Sequence, residues 1–141
     1  MLRFTAMLVL AAPLFAGGFW LQMGSPSASS DVKAKNAALV VRAIGCHEPA
    51  KAQVSGVAIR MVDGRKQTTP LKLVAMDEPG TYAVMREWPA DASVTLEFVG
   101  HNQGMSTSML VKAHGAQVEK ASAKFYTHEP TEQEELALLV R

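Results

Sequence analysis

Apolar and polar residues alternate with a period of two along much of this chain, and this feature limits its possible folds most strongly. In "SVTLEFVG", Val94, Leu96 and Phe98 fall on one side of an extended chain, opposite Thr95 and Glu97. The stretches "VAIRMV" and "PLKLVAM" repeat this period. None of the three fits an amphipathic helix of useful length, so the pattern predicts half-buried β-strands.

Seven such stretches follow one another without a helical spacer between them. They comprise residues 38–44, 57–62, 70–76, 81–88, 93–100, 106–113 and 118–126. Turn formers separate them, and Asp63-Gly64 is typical of a hairpin turn. In the second stretch we expect Val57 and Ile59 to face the core. The sequence therefore predicts an all-β fold, an antiparallel immunoglobulin-like sandwich of about seven strands, with a small barrel as the alternative.

The amino-terminal segment has a different composition. Arg3 is followed by residues 4–30, which carry no charge, and the apolar part extends from residue 4 to about residue 23. A basic residue followed by an apolar run indicates an export signal. With Arg3 retained on the cytoplasmic side, everything after residue 30 lies on the outer side of the membrane. We therefore expect an exported protein that is periplasmic or anchored to the outer face of the cytoplasmic membrane.

The sequence leaves two fates open for this apolar segment. Small residues at Ala16 and Gly18, or at Ser27 and Ser29, fit a signal-peptide cleavage site. Alternatively, residues 4–23 are long enough to cross a bilayer as a hydrophobic helix, and the aromatic residues near their end are typical of a membrane anchor. Cleavage gives a periplasmic protein, whereas the uncleaved segment holds the chain in the membrane.

The predicted organisation has four parts. They are a signal peptide or membrane anchor over residues 1–24, a linker over 25–36, a β-sandwich domain over 37–127, and a C-terminal tail over 128–141. In the tail, Thr131 and Glu134 have the spacing of a helix capping box, and Leu136, Leu139 and Val140 share one helical face. The tail therefore predicts a short helix that either caps the sandwich or binds a partner.

The charge and the absence of common catalytic motifs argue against nucleic-acid binding and against several classes of enzyme. The formal net charge is +1, and without Arg3 the basic and acidic residues are equal in number, so the chain lacks a field that attracts nucleic acid. The sequence has no Gly-x-Ser-x-Gly, no phosphate-binding glycine loop and no His-Glu-x-x-His. We therefore expect a non-catalytic binding or accessory module without a cofactor, whose partner is an unknown protein or envelope component.

The stretch "AIGCHEPAKA" contains the single cysteine, Cys46, followed directly by His47. Gly45 and Pro49 bracket a bend, and the chain has no second cysteine for a disulfide or a zinc-binding thiolate pair. We expect an inert thiol at the end of a strand, with a redox-active or interchain thiol as the alternative.

A copper site is the alternative function. Cu(I) accepts thiolate, imidazole and thioether ligands. His101, Met105 and Met109 recur every four residues in "HNQGMSTSM", and on a regular strand such positions share one face. A periplasmic copper-binding protein would bind Cu(I) through these three residues together with Cys46 and His47. Methionine on a strand is more commonly a packing residue.

The stretch "EPGTYAVMREWPADASVTLEFVG" has a glycine turn, Tyr82 on a strand, a proline turn and then an alternating strand. This order resembles small exported immunoglobulin-like domains, including the YtkA-like and FixH groups, over about residues 53–112. The resemblance implies an extracytoplasmic accessory domain, with copper handling among the roles of such groups, and it supplies no ligand residues. Where these groups usually have an aromatic residue before the alternating strand, this chain has Ser93 or Val94.

Overall fold

A computed structural model describes residues 18–45 and 48–139 of the chain. Within these ranges the chain forms nine β-strands and one α-helix. The strands are β1 (Phe19–Gly24), β2 (Ala37–Gly45), β3 (Gln53–Val62), β4 (Arg65–Pro70), β5 (Leu73–Ala75), β6 (Thr81–Met85), β7 (Ser93–Asn102), β8 (Met105–His114) and β9 (Gln117–Tyr126), and the helix is α1 (Glu132–Leu139). Over the same ranges, none of the helical segments has both the length and the apolar character needed to cross a bilayer.

The strands form two antiparallel sheets. Sheet A has the order β1-β2-β6-β5, and sheet B has the order β4-β3-β7-β8-β9. Every predicted stretch contains a strand, and β1 and β4 are additional. The predicted turn at Asp63-Gly64 joins β3 to β4, and both residues have positive φ, at 51° and 74°. The prediction of a mostly antiparallel β fold is therefore confirmed.

The main core lies between the inner faces of the two sheets. Val94, Leu96 and Phe98 of β7 are buried there, as their alternation predicts. Sheet A contributes Leu21 and Val41 from the opposite side. Because partners in an antiparallel pair share a face, the register between β7 and β8 brings further large side chains into the same layer.

The outer face of sheet B, which points away from this core, is also buried. Helix α1 packs across β7 and β8 on this face. Thr95, predicted to be at the surface, is only 1% exposed, and this prediction is wrong because alternation cannot reveal a helix that covers the second face. The prediction for β3 also fails: Ala58 pairs with Leu96 on the core side, which places Ile59 on the outer face. Ile59 is buried nevertheless.

The structure begins its first strand inside the predicted export segment. The expected N-terminal hydrophobic helix is not supported, because Phe19–Gly24 pairs with β2 along its whole length and buries Phe19 and Leu21 in the core. Apolar content suggested a helix, whereas these six residues alternate between inner and outer face like the other strands. Residues 1–17 lie outside the described part of the chain.

Residues 25–36, which the sequence predicts to be a linker, have local structure of their own. They form two short 3-10 turns, Pro26–Ala28 and Val32–Ala34, that pack on the outer face of sheet A. The Asp31 carboxylate accepts hydrogen bonds from the backbone N–H of Lys33 at 2.9 Å and of Asp77 at 2.8 Å. These contacts fix the segment to the hairpin between β5 and β6.

The short C-terminal helix is confirmed, together with its capping box. The Thr131 hydroxyl accepts from the Glu134 N–H at 3.2 Å, and the Glu134 carboxylate accepts from the Thr131 N–H at 2.9 Å. The buried face of α1 differs from the predicted one, since Glu135 and Leu138 are buried while Leu136 is 36% exposed. The helix is placed by its contacts with sheet B and not by its own weak amphipathic pattern.

Candidate functional site

The structure separates the described residues of the predicted copper site. His101 pairs with Ser106 on the outer face of sheet B, whereas Met105 and Met109 lie on the inner face. The two ring nitrogens of His101 contact the Ser106 hydroxyl at 2.9 Å and a Glu129 carboxylate oxygen at 3.0 Å. Met109 is fully buried in the core. These three side chains therefore do not converge.

The other two predicted ligands, Cys46 and His47, lie outside the described residues. Strand β2 ends at Gly45, and the chain resumes at Glu48 with φ 45° before the 3-10 turn Pro49–Lys51. A bend after the strand is what the sequence predicted at this point. Across residues 18–45 and 48–139, no group of three or more His, Cys, Asp or Glu side chains is arranged to hold a metal ion.

A cleft on the outer face of sheet A is the candidate binding site. We call it the sheet A cleft; residues 22–25, 28, 29, 40, 42, 76, 78 and 81 line it, and its volume is about 240 Å³. Strand register explains how its central side chains meet. Gln22 pairs with Arg42 across β1 and β2, and Arg42 pairs with Thr81 across β2 and β6. The three residues therefore form one row across the sheet.

The hairpin between β5 and β6 closes one side of the cleft. Gly80 turns the chain with φ 78°, and the Thr81 N–H donates to the Glu78 carbonyl at 3.2 Å. The Met76 N–H donates to the Thr81 carbonyl at 2.9 Å. This tight turn carries Glu78 back over the sheet, where its carboxylate lies 2.7 Å from the Arg42 guanidinium.

The Arg42–Glu78 ion pair gives the cleft one charge of each sign. The two side chains are 49% and 55% exposed, so both remain in contact with solvent. Exposed ion pairs contribute little to stability, and each partner can exchange its contact for another ion. Val40 and Met76 add apolar surface beside the pair.

Thr81 is the least expected member of the cleft. Its side chain is buried, at 5% exposure, and its Oγ1 finds no hydrogen-bond partner among the described residues. Leaving a buried hydroxyl unpaired costs about 1–3 kcal/mol, and valine has nearly the same shape without this cost. Within residues 18–45 and 48–139, nothing hydrogen-bonded to the hydroxyl explains its presence.

A second polar cluster lies under α1 on the outer face of sheet B. Lys66 of β4 forms an ion pair with Glu135 of the helix, and Glu97 of β7 lies against the same Glu135 carboxyl. Burial, and then a hydrogen bond with Glu135, raise the pKa of the Glu97 carboxyl to about 7. Protonated Glu97 can donate a hydrogen bond to the Glu135 carboxylate. The cluster of two carboxyl groups and the Lys66 ammonium then has no net charge.

Sequence reasoning did not identify either cluster. Arg42 is a single charge within the apolar strand "ALVVRAI", which is a usable signal for a polar position on a strand face. Thr81 and Glu78 carry no such signal, because only the register of β2 and β6 brings them to Arg42. Comparisons of the chain with protein-family models, curated proteins and solved structures gave no match. The functional proposal therefore rests on the geometry of the sheet A cleft.

Proposed function

We propose that this chain is an exported, non-catalytic binding module and that the sheet A cleft binds a small zwitterion, a molecule or chain end with both an ammonium and a carboxylate. The observation that carries this proposal is the buried Thr81 hydroxyl, which has no hydrogen-bond partner in the described part of the chain and lies beside an accessible pair of opposite charges. The ligand class includes free amino acids and peptide termini.

Each group at the cleft matches a part of such a ligand. The Arg42 guanidinium presents a planar fork that suits a carboxylate, and Glu78 offers an acceptor for an ammonium. The Thr81 hydroxyl is buried beside this pair, and a χ1 rotation toward the cleft would make it a third hydrogen-bonding group for the ligand. Val40 and Met76 supply apolar contact for the hydrocarbon part of the ligand.

Titration of the isotope-labelled protein with free amino acids, followed by NMR, tests this proposal. We expect amide shifts centred on Gln22, Arg42 and Thr81, and we expect Thr81→Val and Arg42→Gln to weaken the binding at least about tenfold, since each removes a hydrogen bond to a charged ligand. Arg65→Gln on the exposed strand β4 is the matched control and leaves binding unchanged. Binding that is absent, or that Thr81→Val leaves intact, contradicts the proposal.

We also propose that the chain is exported and that its signal peptide is cleaved before Phe19. Of the two candidate positions, cleavage after Gly18 keeps β1 intact, whereas cleavage after Ser29 removes a strand that contributes Phe19 and Leu21 to the core. A membrane span reaching residue 23 would also withdraw this strand from sheet A. Mass spectrometry of the protein recovered after export should give a chain that starts at Phe19. A full-length, membrane-embedded chain would contradict this proposal.

We also infer an immunoglobulin-like topology. The order β1-β2-β6-β5 corresponds to strands A-B-E-D of that fold, and β4-β3-β7-β8 corresponds to C′-C-F-G, with β9 added beside the last strand. Domains of this type commonly bind partners through loops and edges, which supports a role as a periplasmic accessory module.

A further inference from the structure

The sheet edges differ in how they are protected against pairing with another strand. An exposed edge is usually blunted by charge, proline or short length. Strand β4 contains Arg65 and Lys66 and ends at Pro70, β9 contains Lys120 and Lys124, and β5 has only three residues. Strand β1 has six residues, "FWLQMG", with no charge and no proline. Within the described part of the chain, β1 is the unprotected edge.

Strand β1 is also regular enough to accept a partner. It pairs with β2 residue by residue, from Phe19 opposite Gly45 to Gly24 opposite Val40, without a register shift. On its outer face Trp20 remains 47% exposed, opposite the partly buried Ile44. An edge with regular pairing, no charged side chain and an exposed aromatic side chain favours the addition of another strand.

We propose that β1 pairs antiparallel with β1 of a second copy of this chain, and that Trp20 of the second copy lies against Gln22 and forms one wall of the sheet A cleft. The pairing of the two copies is independent of any ligand, whereas the role of Trp20 in the cleft rests on the proposed function.

Symmetry restricts the register of this pair. Opposite residues in antiparallel strands share a face, so a two-fold axis perpendicular to the sheet must place one residue of β1 directly opposite its own copy. A register centred on Leu21 pairs residues 19–23 of one copy with residues 19–23 of the other. It places Trp20 of each copy opposite Gln22 of the other, on the same outer face as the cleft.

A second copy is the occupant that these residues favour. Its β1 has the same length, and because the side chains of this strand are uncharged, self-pairing brings no like side-chain charges together. Self-pairing of β4 or β9 would place lysine side chains near one another. The inner face of the joined sheet would continue the core layer through Leu21 of both copies.

Two double variants test the pairing and its register. Trp20→Lys with Gln22→Lys places lysine opposite lysine at both positions, whereas Trp20→Glu with Gln22→Lys places glutamate opposite lysine. Sedimentation velocity of the exported chain over a concentration series should show a dimer for the natural chain, a monomer for the first variant and a dimer for the second. Gln67→Lys on β4 is the control and should remain dimeric, and circular dichroism checks that each variant is folded.

A monomeric natural chain overturns the proposal and leaves the β1 edge to a strand of another protein. A folded dimer of the lysine–lysine variant overturns it as well, and two monomeric double variants overturn the register centred on Leu21. Amino-acid titration of both double variants, which share Gln22→Lys, tests the cleft. Both variants replace Trp20, so binding severalfold weaker in the monomer supports a wall formed by position 20 of the second copy. Equal binding overturns that part, and no binding to the natural dimer overturns the proposed ligand while the dimer stands.

Discussion

The outer faces of the two sheets show how similar strands acquire different surroundings. On sheet A, the polar row of Gln22, Arg42 and Thr81 lines an open cleft. On sheet B, the corresponding outer positions of β7, Thr95 and Glu97, lie under α1. Both faces have strands of alternating pattern, so the pattern does not determine which face water reaches.

The two faces also differ in the surroundings of their buried, unpaired polar atoms. In the described part of the chain, two buried side-chain polar atoms lack a hydrogen-bond partner, Thr81 Oγ1 on sheet A and Glu97 Oε2 on sheet B. Glu97 can retain a proton, which removes its charge and allows a hydrogen bond to Glu135. The Thr81 hydroxyl has no such neighbour and lies beside an open cleft. This difference is why we assign ligand binding to sheet A.

The largest expected effect comes from the core that both faces share. Phe98→Ala should lower the free energy of unfolding by about 3–5 kcal/mol, because the ring is fully buried and its removal leaves a cavity. Urea denaturation measures this change. Phe125→Ala on β9 is the control, since Phe125 is 55% exposed, and should cost less than about 1 kcal/mol. Equal losses for the two variants would place Phe98 outside the core.

Weakening the packing of α1 on sheet B should have the next largest effect on stability. Leu138→Ala should cost about 2 kcal/mol, because this side chain anchors α1 beside Thr95 and Lys112. Leu136→Ala, at the more exposed position on the same helix, should stay within about 0.5 kcal/mol. NMR shifts of Arg42 and Thr81 should not change in either variant. A change there would mean that the two outer faces are coupled.

The cluster under α1 should make stability depend on pH. The pKa of Glu97 is raised to about 7 in the folded chain, so between its ordinary value of 4.5 and about 7 the folded state holds a proton that the unfolded state has released. Glu135, Glu129 and Lys66 are the charged groups that act on it. Stability should therefore fall as the pH rises through this range and stay lower above it.

Glu97→Gln is the variant that tests this pH dependence. The amide cannot ionise, so thermal melting between pH 5 and about pH 8 should show a flatter stability profile than the natural chain. Glu119→Gln on β9 is a control on an exposed residue and should leave the profile unchanged. A profile that keeps its slope in Glu97→Gln would assign the titration to another group.

The smallest expected effect has the opposite sign. Thr81→Val should raise the free energy of unfolding by about 1 kcal/mol, because it removes a buried unpaired hydroxyl and keeps the shape of the side chain. Chemical denaturation measures this gain. Thr107→Val on β8 is the matched control and should be destabilising, since the Thr107 hydroxyl donates to the Tyr126 carbonyl at 3.0 Å. Destabilisation by Thr81→Val would show that its hydroxyl has a structural role.

Several parts of the fold follow from short-range pattern. The alternation in "SVTLEFVG" predicts both the strand and the burial of Leu96 and Phe98. Asp63-Gly64 predicts the hairpin because these residues tolerate positive φ. The Thr131–Glu134 capping box predicts the start of α1. In each case the residues that determine the structure are neighbours in sequence.

The failures of prediction share a different cause. The alternation in β3 was assigned to the wrong face, because small residues, Gly56 and Ala58, lie on its core side near the large Phe98 ring. A Cβ on Gly56 would lie 2.8 Å from the Phe98 ring. The hydropathy of Phe19–Gly24 predicted a helix. In the structure this segment is a strand, because it pairs with β2. Both assignments depend on residues distant in sequence.

By itself, the sequence determined that the chain is extended and antiparallel, where it turns, and where its terminal helix begins, because these properties depend on local backbone preferences and on the period of the side chains. Only the tertiary structure decided that β1 belongs to the core, that α1 covers sheet B, and that Gln22, Arg42, Glu78 and Thr81 meet in one cleft. Those outcomes depend on strand register and on which faces pack together. Such contacts join residues far apart in the chain, and no local pattern encodes them.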